Sequence, residues 1–369
     1  MILAINCRHL THHKLEGFGT YTLELITRWI EKNPTVPFVL IFDRAPKIQL
    51  PLGENVKIRI VGPPTRHPLL YWIWFEWSIP RILKQEKATL FFSPDGYTSL
   101  RSKVPSIITV HDLNFEHNPG DLPKILSKYL RYYFPKFVKK AAHVLTVSEF
   151  SKNDIIQKYR CKEEKVSVIH NGASESYAPL EAQEKTQISN EICEGRPYFL
   201  FVGSLHPRKN VQRLLQAYAT IKDPKADLVI VGSAMWKSDE YTLPSSHAHR
   251  VHFLGYLDKQ RLARIMASAM ALAYVPYFEG FGIPLVEAMR CGTPILSANT
   301  TCLPEIAGDA ALYCDPFDVT DIQRGLLELQ NNSELRLKLA LKGLERSGLF
   351  SWDVAAEKTW AQIRASEGI

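Results

Sequence analysis

Short, continuously apolar segments recur along this chain and constrain its fold more than any other feature. Residues 38–42 read Phe-Val-Leu-Ile-Phe, and residues 198–202 read Tyr-Phe-Leu-Phe-Val. Runs of this length without polar alternation are typical of strands in a parallel sheet that helices cover on both faces. Because one series of such strands and helices is followed by a second, the sequence predicts an α/β chain with two Rossmann-like domains that face each other across a cleft.

The expected domain boundaries follow from the chain length and from one polar stretch. The chain has 369 residues, enough for two domains with separate cores. Residues 178–197 are polar and predict the linker between the domains. We therefore expect a first domain over residues 1–177, a second over residues 196–348, and a last helix within residues 349–369.

The first strand is followed by a glycine-containing turn. Residues 1–6 form the predicted strand, and Gly17, Phe18 and Gly19 precede an apolar helix. A strand, a glycine turn and a helix can bind phosphate, although Gly-x-Gly alone is a weak signal. The full Gly-x-Gly-x-x-Gly fingerprint is missing, which argues against an NAD site.

The second domain opens with a turn that carries two cations. Gly203 ends its first strand, and Arg208 and Lys209 lie just before the next helix. Two fixed cations beside helix N–H groups can bind a diphosphate without a metal. The alternative is ordinary surface charge.

Residues 274–292 read as a strand end, a glycine loop and a short helix. Gly280 and Gly282 allow the backbone to approach a ligand closely. Glu279 lies on the loop and Glu287 one turn into the helix, so two carboxylates flank an anion-binding turn. That arrangement suits a ligand with both hydroxyl and phosphate groups. The alternative is that both acids simply occupy a solvated helix N-terminus, where acids are favoured.

A His-Asp pair follows the strand at residues 106–110. His111 and Asp112 lie at its carboxyl end, where open α/β sheets bind their ligands. This position favours a functional histidine, and the alternative is that His111 only forms hydrogen bonds at the strand end.

The segment from Glu279 to Glu287 resembles the Glu-x7-Glu signature of family 4 of the retaining glycosyltransferases. The resemblance continues through Gly-Thr-Pro at 292–294 and Leu-Pro-Glu-Ile-Ala-Gly at 303–308. These enzymes use nucleotide sugars and have the GT-B fold. The resemblance covers nearly the whole chain. It implies that Glu279 contacts the donor sugar, that Glu287 contacts the ribose hydroxyls, and that the last helix crosses back to the first domain.

The same resemblance implies further site residues. His111 would lie where donor and acceptor meet, and the catalytic set would be His111, Arg208, Lys209 and Glu279. The implied donor site comprises Gly17, Phe18, Gly19, Gly203, Arg208, Lys209, Gly255, Tyr256, Glu279, Gly280, Phe281, Gly282, Ile283 and Glu287. One departure is Ser204, which stands where many members have an arginine, and Arg208 is the expected substitute.

Neither a metal nor a cofactor is expected. The chain contains no Asp-x-Asp pair, so Arg208, Lys209 and helix N–H groups would stabilise the leaving diphosphate. The six cysteines form no Cys-x-x-Cys motif and indicate a reduced, cytoplasmic protein. Three histidines between residues 247 and 252 lack metal-ligand spacing and are interpreted as a solvated loop.

Charge alone does not identify a partner. The net charge is +7, but the basic residues are dispersed and no nucleic-acid motif is present. Residues 124–140 combine six basic residues with five aromatic ones, which fits either a solvated helix or a peripheral contact with the inner membrane face. The aromatic stretch at 69–87 allows helix packing or the same kind of contact. Pro135 predicts a break or a kink.

The sequence therefore predicts a retaining glycosyltransferase in cell-surface polysaccharide synthesis. It would move a sugar from a nucleotide-diphosphate donor to a glycan or lipid-linked acceptor, and the sugar we expect is mannose. The family mechanism implied is front-face attack, in which the leaving phosphate takes the acceptor's proton. Three alternatives are a nucleotide-sugar epimerase of the same architecture, a non-catalytic sugar-nucleotide binder and an NAD-dependent oxidoreductase.

Overall fold

The computed structural model describes residues 1–11, 13, 15, 17–50, 53–232 and 247–366. The chain forms two compact units. The first contains Met1–Asn171 and the C-terminal segment from Trp352 onward, and the second is Gly172–Ser351.

Strands and helices alternate in both units. The strands are β1 (Leu3–Asn6), β2 (Phe38–Phe42), β3 (Val56–Ile60), β4 (Leu90–Ser93), β5 (Ser106–Thr109), β6 (His143–Thr146), β7 (Val166–Val168), β8 (Tyr198–Val202), β9 (Asp227–Val231), β10 (Val251–Gly255), β11 (Ala271–Tyr274), β12 (Ile295–Ala298) and β13 (Leu312–Cys314). The α-helices are α1 (Gly17–Lys32), α2 (Pro68–Ile73), α3 (Ile79–Gln85), α4 (Asn114–His117), α5 (Lys124–Lys140), α6 (Glu149–Tyr159), α7 (Ala182–Cys193), α8 (Val211–Ala219), α9 (Lys259–Ser268), α10 (Ile283–Arg290), α11 (Leu303–Ala307), α12 (Val319–Asn331), α13 (Ser333–Ser347) and α14 (Trp352–Ala365).

Each unit is built on one parallel sheet. Over the described residues, the first sheet has the order β3-β2-β1-β4-β5-β6-β7 and the second the order β10-β9-β8-β11-β12-β13. In both sheets the strand order reverses at one place, between β1 and β4 in the first and between β8 and β11 in the second. Such a switch point opens a crevice at the carboxyl ends of the strands, where α/β proteins bind ligands.

The apolar runs form strands because helices cover both faces of the sheet. In β2, Phe38 and Leu40 join a core with Trp29 of α1, whereas Val39 and Ile41 join a second core with α3 and α5. Side chains of a strand alternate between faces, so a strand buried on both sides must be apolar throughout. The predicted α/β class with two Rossmann-like sheets is confirmed.

Helix α14 belongs to the first unit although it ends the chain. Trp352, Ala355 and Ile363 are buried in the core beneath α1. The indole N–H of Trp29 donates to the carbonyl oxygen of Ala356 at 2.9 Å. The expected return of the last helix to the first domain is therefore present.

Three local expectations are corrected. The polar stretch at 178–197, expected to link the domains, contains α7 with buried Ile188 and Cys193 and lies within the second unit. Helix α5 is not broken at Pro135, because burial of side chains such as Phe134 and Phe137 offsets the hydrogen bond that the proline removes. His252 lies in β10 rather than in a solvated loop, and its Nε2 is 2.7 Å from an Asp227 carboxylate oxygen.

Candidate functional site

The two strands beside the switch point of the second sheet lead into the predicted donor residues. β8 is followed by Gly203 and by a single turn of 3-10 helix at Pro207–Lys209, and β11 is followed by the loop that carries Glu279. Since β8 and β11 are neighbours, their carboxyl ends lie side by side and bring the two loops together.

Asn210 fixes the first loop against the second. It adopts a left-handed conformation with φ 63° at the start of α8. Its side-chain amide donates to the carbonyl oxygens of Val275 at 2.9 Å and Pro316 at 2.7 Å. The backbone N–H of Tyr277 donates to the Arg208 carbonyl oxygen at 3.0 Å. The cationic turn is thus held in place by backbone and buried amide groups.

The cations and the carboxylate of the two loops form one buried cluster. Arg208 Nη1 is 2.9 Å from Oε1 of Glu279, and Lys209 Nζ also donates to that oxygen. Arg208 Nη1 donates in addition to the Phe278 carbonyl oxygen at 3.0 Å. Lys209 and Glu279 are only 8% and 6% exposed. Among the described residues, two cations contact this one carboxylate at a largely buried place, and this arrangement favours binding of an anion.

Tyr274, the last residue of β11, completes this cluster. Its hydroxyl accepts from Lys209 Nζ at 2.7 Å and donates to Glu279 Oε1 at 2.9 Å. The side chain is fully buried. Burial and the neighbouring Glu279 raise the pKa of Tyr274, so its hydroxyl keeps its proton.

The charge state of Glu279 is fixed despite its burial. Burial alone would raise its pKa, but Arg208 and Lys209 outweigh this effect and lower the pKa to about 2. Its hydrogen bonds converge on Oε1, and no donor to Oε2 lies among the described residues. The second oxygen is therefore available to a ligand hydroxyl.

The loop residues that follow Glu279 shape the backbone that leads into α10 and add no polar side chain to the cluster. Gly282 is the N-cap of α10 with φ 85°, and a Cβ there would lie 2.9 Å from Leu303 Cδ2, so only glycine fits. Gly280 is buried, and Ile283 begins the helix. Phe281 is buried with its ring 5.8 Å from that of Phe350, so its side chain packs in the unit's interior.

Other predicted donor residues occupy neighbouring strand ends. Gly203 lies against the Lys209 stem, because a Cβ on it would be 3.6 Å from Lys209 Cε. Gly255 is the last residue of β10, which pairs with β9, and Tyr256 beyond it is 43% exposed.

Glu287 makes its contacts with other residues than the Arg208–Lys209–Glu279 cluster. It is on α10, where Tyr177 donates a hydrogen bond to its half-buried carboxyl group. Burial raises the pKa of Glu287 to about 7. The two glutamates of the signature therefore differ: Glu279 is ionised throughout the physiological range, and Glu287 titrates within it.

The first unit has its own group of side chains at its switch point. His111 follows β5, and its ring is 4.8 Å from the ring of Phe18 and 4.8 Å from that of Tyr21. Gly17, Phe18 and Gly19 form the first turn of α1 rather than a separate loop. Phe18 is 41% exposed, and a Cβ on Gly19 would be 3.2 Å from the His9 carbonyl oxygen.

The protonation of His111 follows from its contacts. Nε2 lies 2.8 Å from the carbonyl oxygen of Pro94, and because a carbonyl can only accept, Nε2 carries a hydrogen. Burial lowers the pKa of His111, so the ring is neutral at pH 7 with its lone pair on Nδ1.

A buried ionic group beside it was missed by the sequence interpretation. Arg8 Nε is 2.5 Å from Oδ2 of Asp95, and His9 Nε2 is 3.0 Å from the same oxygen. Asn6 Nδ2 donates to Asp95 Oδ1 at 3.0 Å. Arg8 also lies over the Tyr97 ring, with its Cζ 4.4 Å from the centroid. The signal that could have located this group is its position, because His9 and Asp95 each lie within three residues of the end of an apolar strand.

One group of residues has the spacing of a metal site but the wrong chemistry. Among the residues described, Cys193, Asp227 and His252 place possible ligand atoms within 4.8 Å of one another. The Asp227 carboxylate already pairs with Arg196 at 3.2 Å and Arg250 at 2.9 Å. Burial raises the pKa of the Cys193 thiol to about 12, so the thiolate that a metal requires is disfavoured. These residues do not fit a metal.

Comparisons with known protein families cover almost the whole chain. The model described as Glycosyltransferase Family 4 matches residues 15–177. The model described as Glycosyl transferases group 1 matches residues 182–346. The first match includes His111 and the second includes the Arg208–Lys209–Glu279 cluster.

Individual relatives and solved structures agree with these models. The chain is 28% identical over 364 residues to O-antigen chain mannosyltransferase B of Escherichia coli, covering 94% of this chain and 95% of the relative. The structure of this chain is similar to that of sucrose-phosphate synthase from Thermosynechococcus elongatus, with a TM-score of 0.80, 18% identity and 98% of each chain covered. It is also similar to Anabaena HepE in complex with UDP and glucose, with a TM-score of 0.78, 15% identity, and 99% and 100% of the two chains covered.

Proposed function

The chain belongs to family 4 of the glycosyltransferases, and on that basis we propose that it transfers mannose from a nucleotide-diphosphate donor to a glycan or lipid-linked acceptor. The activity is that of a hexosyltransferase in cell-surface polysaccharide synthesis. The name of the Escherichia coli relative, an O-antigen chain mannosyltransferase, supports both the sugar and the pathway.

The observation that carries this proposal is the buried cluster of Arg208, Lys209 and Glu279 at the switch point of the second sheet. It offers fixed positive charge for a diphosphate and one free carboxylate oxygen for a sugar hydroxyl. A nucleotide sugar carries both groups in one molecule.

The proposed reaction proceeds with retention of configuration. The acceptor oxygen forms a bond to the anomeric carbon while the bond from that carbon to the donor phosphate breaks. The acceptor's proton passes to the leaving phosphate oxygen. Charge that develops on the leaving diphosphate is stabilised by Arg208 and Lys209, which the protein holds in place before the reaction begins.

Two of the alternative functions differ from glycosyl transfer in their substrates and products. An epimerase converts the donor without an acceptor, and a non-catalytic binder releases no nucleotide. Neither is favoured by the family matches, both of which are to glycosyltransferases.

A panel of nucleotide sugars tests the proposal. A bound ligand stabilises the folded state by mass action, so the true donor should raise the melting temperature most. GDP-mannose and UDP-glucose are included as probes, followed by nucleotide release with octyl α-mannoside as acceptor. Stabilisation by no member of the panel would contradict the proposal. Nucleotide release without sugar transfer would favour a hydrolase, and conversion of the donor to another nucleotide sugar would favour an epimerase.

We also propose that the enzyme needs no metal. The two cations take the position that a divalent ion would otherwise occupy beside the diphosphate, and no Asp-x-Asp pair exists to hold such an ion. Activity should persist in EDTA. Loss of activity in EDTA that magnesium or manganese restores would show that a metal performs this task.

A membrane contact through α5 is the remaining part of the proposal. Ile125, Lys128, Tyr132 and Lys139 lie at helical spacing on its exposed face, and Lys136 Nζ is 3.3 Å from the Tyr132 ring centroid. Basic residues interleaved with exposed apolar ones suit an anionic bilayer surface, where a lipid-linked acceptor would be held. Among the described helices, none has both the length and the apolar character needed to cross the bilayer. We place the enzyme at the inner face of the membrane.

A further inference from the structure

The switch point of the first sheet carries two histidines held by one loop. β1 leads into His9, and its neighbour β4 leads into Pro94 and Asp95. His111 binds the Pro94 carbonyl oxygen through Nε2, at 2.8 Å. His9 binds the Asp95 carboxylate through Nε2, at 3.0 Å. Consecutive residues of one loop therefore orient both imidazole rings.

The two rings are oriented in the same way chemically. Each partner can only accept a hydrogen bond. The partner of His111 is a carbonyl oxygen, and the partner of His9 is the ionised Asp95, whose pKa the Arg8 guanidinium keeps far below the usual range. Each Nε2 therefore carries a hydrogen. Burial and the neighbouring Arg8 lower the pKa of His9, so its ring is neutral like that of His111, and each Nδ1 carries a lone pair. Among the described residues, none donates to either Nδ1.

Phe18 joins the two histidines into one surface. Its ring is 5.2 Å from that of His9 and 4.8 Å from that of His111. It is 41% exposed, and the His9 side chain is 32% exposed. The three rings form what we call the His9–Phe18–His111 surface, which presents two hydrogen-bond acceptors and one apolar ring.

His9 is not needed to satisfy Asp95. The carboxylate already accepts from Arg8 Nε at 2.5 Å, Asn6 Nδ2 at 3.0 Å and the Ser93 hydroxyl at 3.0 Å. A further partner adds little to the stability of a carboxylate that is already paired. Orientation of the exposed imidazole by the buried carboxylate is the better account of this contact, as in catalytic sites where a carboxylate fixes a histidine tautomer.

We propose that His9 is a further acceptor-binding residue, which acts with His111 to accept hydrogen bonds from two hydroxyl groups of the acceptor sugar. Phe18 packs against the apolar C–H face of the same sugar, and Asp95 positions His9. The ligand class is a sugar with free hydroxyls, because neutral imidazole nitrogens accept from hydroxyls and do not attract anions. This inference rests on the proposed glycosyl transfer and names a residue that binds the acceptor.

The kinetic test uses two substitutions of His9, one that removes the Nδ1 acceptor and one that removes the contact with Asp95. His9→Gln can keep an amide donor to Asp95 but lacks the Nδ1 acceptor. His9→Asn can keep an acceptor near the Nδ1 position but cannot reach Asp95. With octyl α-mannoside as the acceptor and the best donor of the nucleotide-sugar panel, His9→Gln should raise the acceptor KM about tenfold, the effect of one lost hydrogen bond of typical strength. The donor KM and acceptor-free nucleotide release should stay within about twofold, and His9→Asn should recover part of the loss.

The matched control is His249→Gln, which changes an exposed histidine of the second unit and should leave every constant unchanged. Turnover by the wild type with an unchanged acceptor KM in His9→Gln would overturn the inference. If no nucleotide sugar binds to the wild type, the proposed function fails instead, so the two failures are distinguishable.

A spectroscopic test does not depend on turnover. In 15N-histidine-labelled protein at pH 7.5, two histidines should show the Nε2–H tautomer and respond to millimolar octyl α-mannoside. His9→Gln should remove one of these two signals. A protonated His9, the opposite tautomer, or signals that do not respond to the mannoside would each overturn the inference.

Discussion

Three donors converge on a single oxygen of Glu279, and this arrangement fixes two cations beside one carboxylate. Lys209, Arg208 and Tyr274 all bind Oε1. Lysine is long and flexible, so without such partners its charge would move toward water. The Tyr274 hydroxyl restricts that freedom, which keeps the ammonium group where a diphosphate would bind.

We expect Lys209→Ala to lower turnover by about a hundred- to thousandfold. Fixed donors aimed at charge that develops in the transition state contribute about 3–4 kcal/mol each. Lys209→Arg should keep part of the activity, because the charge stays but its geometry changes. The measurement is nucleotide release at saturating donor and acceptor. Lys222→Ala, an exposed lysine of the same unit, is the control, and turnover of Lys209→Ala within a few-fold of wild type would exclude the role.

The raised pKa of Glu287 predicts a pH dependence of folding stability. Its folded-state pKa of about 7 lies above the ordinary value of 4.5, so the folded protein binds this proton more tightly than the unfolded chain does. The resulting stability is fully present below about pH 4.5 and is lost as the pH rises through about 7, by up to about 3 kcal/mol. Urea midpoints from pH 5 to 8 should fall less steeply for Glu287→Gln than for wild type. Parallel profiles would show that Glu287 ionises normally.

Donor binding should change with the same group. An ionised carboxylate accepts hydrogen bonds from ribose hydroxyls better than a protonated one, so donor affinity should increase as the pH rises through about 7. Glu287→Ala should weaken donor binding more than it slows chemistry, because ribose contacts change little in the transition state. Isothermal titration at pH 6 and 8 measures the first effect. An unchanged donor KM in Glu287→Ala would contradict the second.

At the scale of elements, α5 has two faces with different surroundings. Its buried face, with Leu130, Phe134, Phe137 and Val138, completes one core of the first unit. Its other face carries exposed basic and apolar side chains that this core does not require. Changes on the exposed face should therefore alter surface binding without altering stability.

We expect that replacing Lys128, Lys139 and Lys140 by glutamine weakens binding to anionic vesicles. Each basic residue near such a surface contributes about 1 kcal/mol, so the triple variant should lose roughly a hundredfold in partitioning. Sedimentation with vesicles containing phosphatidylglycerol is the measurement. The control replaces three exposed lysines of the second unit, Lys222, Lys225 and Lys338, and so removes the same charge. Equal sedimentation of both variants and wild type would identify a merely solvated helix.

At the scale of the whole molecule, the chain returns to its first unit at the end. Helix α14 supplies Trp352 and Ile363 to the core and pairs with α1 through Arg28 and Asp353, whose Nε and Oδ1 are 2.8 Å apart. The first unit therefore needs this last helix to complete its core, whereas the second unit is one continuous segment.

Deletion of residues 352–369 should destabilise the first unit selectively. It exposes core side chains that α14 covers, and the loss of a single large aromatic alone costs about 3–5 kcal/mol. Hydrogen exchange should accelerate in β1, β2 and β4 but stay near wild type in β8, β9 and β11. Trp352→Ala should show the same pattern more weakly. Equal acceleration in both units would mean that the two units unfold together.

Much of this protein can be inferred from the order of its residues. Apolar runs of four or five residues indicate buried parallel strands because both faces of each strand must be covered. The glycines and Pro284 around Glu279 indicate a loop that leads into α10, and the structure shows that helix from Ile283 to Arg290. These signals are local, so they can be recognised without knowing which strands become neighbours.

Tertiary structure alone decided which of these local signals meet. Lys209 and Glu279 are 70 residues apart and His9 and Asp95 are 86 apart, and each pair is joined because two particular strands are adjacent in a sheet. A sequence pattern reports the period and the turns of a segment, but not the order of the strands. Tyr274 ends an apolar strand and His9 follows another, so neither differed from ordinary neighbours of a core until strand order brought Lys209 to Tyr274 and Asp95 to His9.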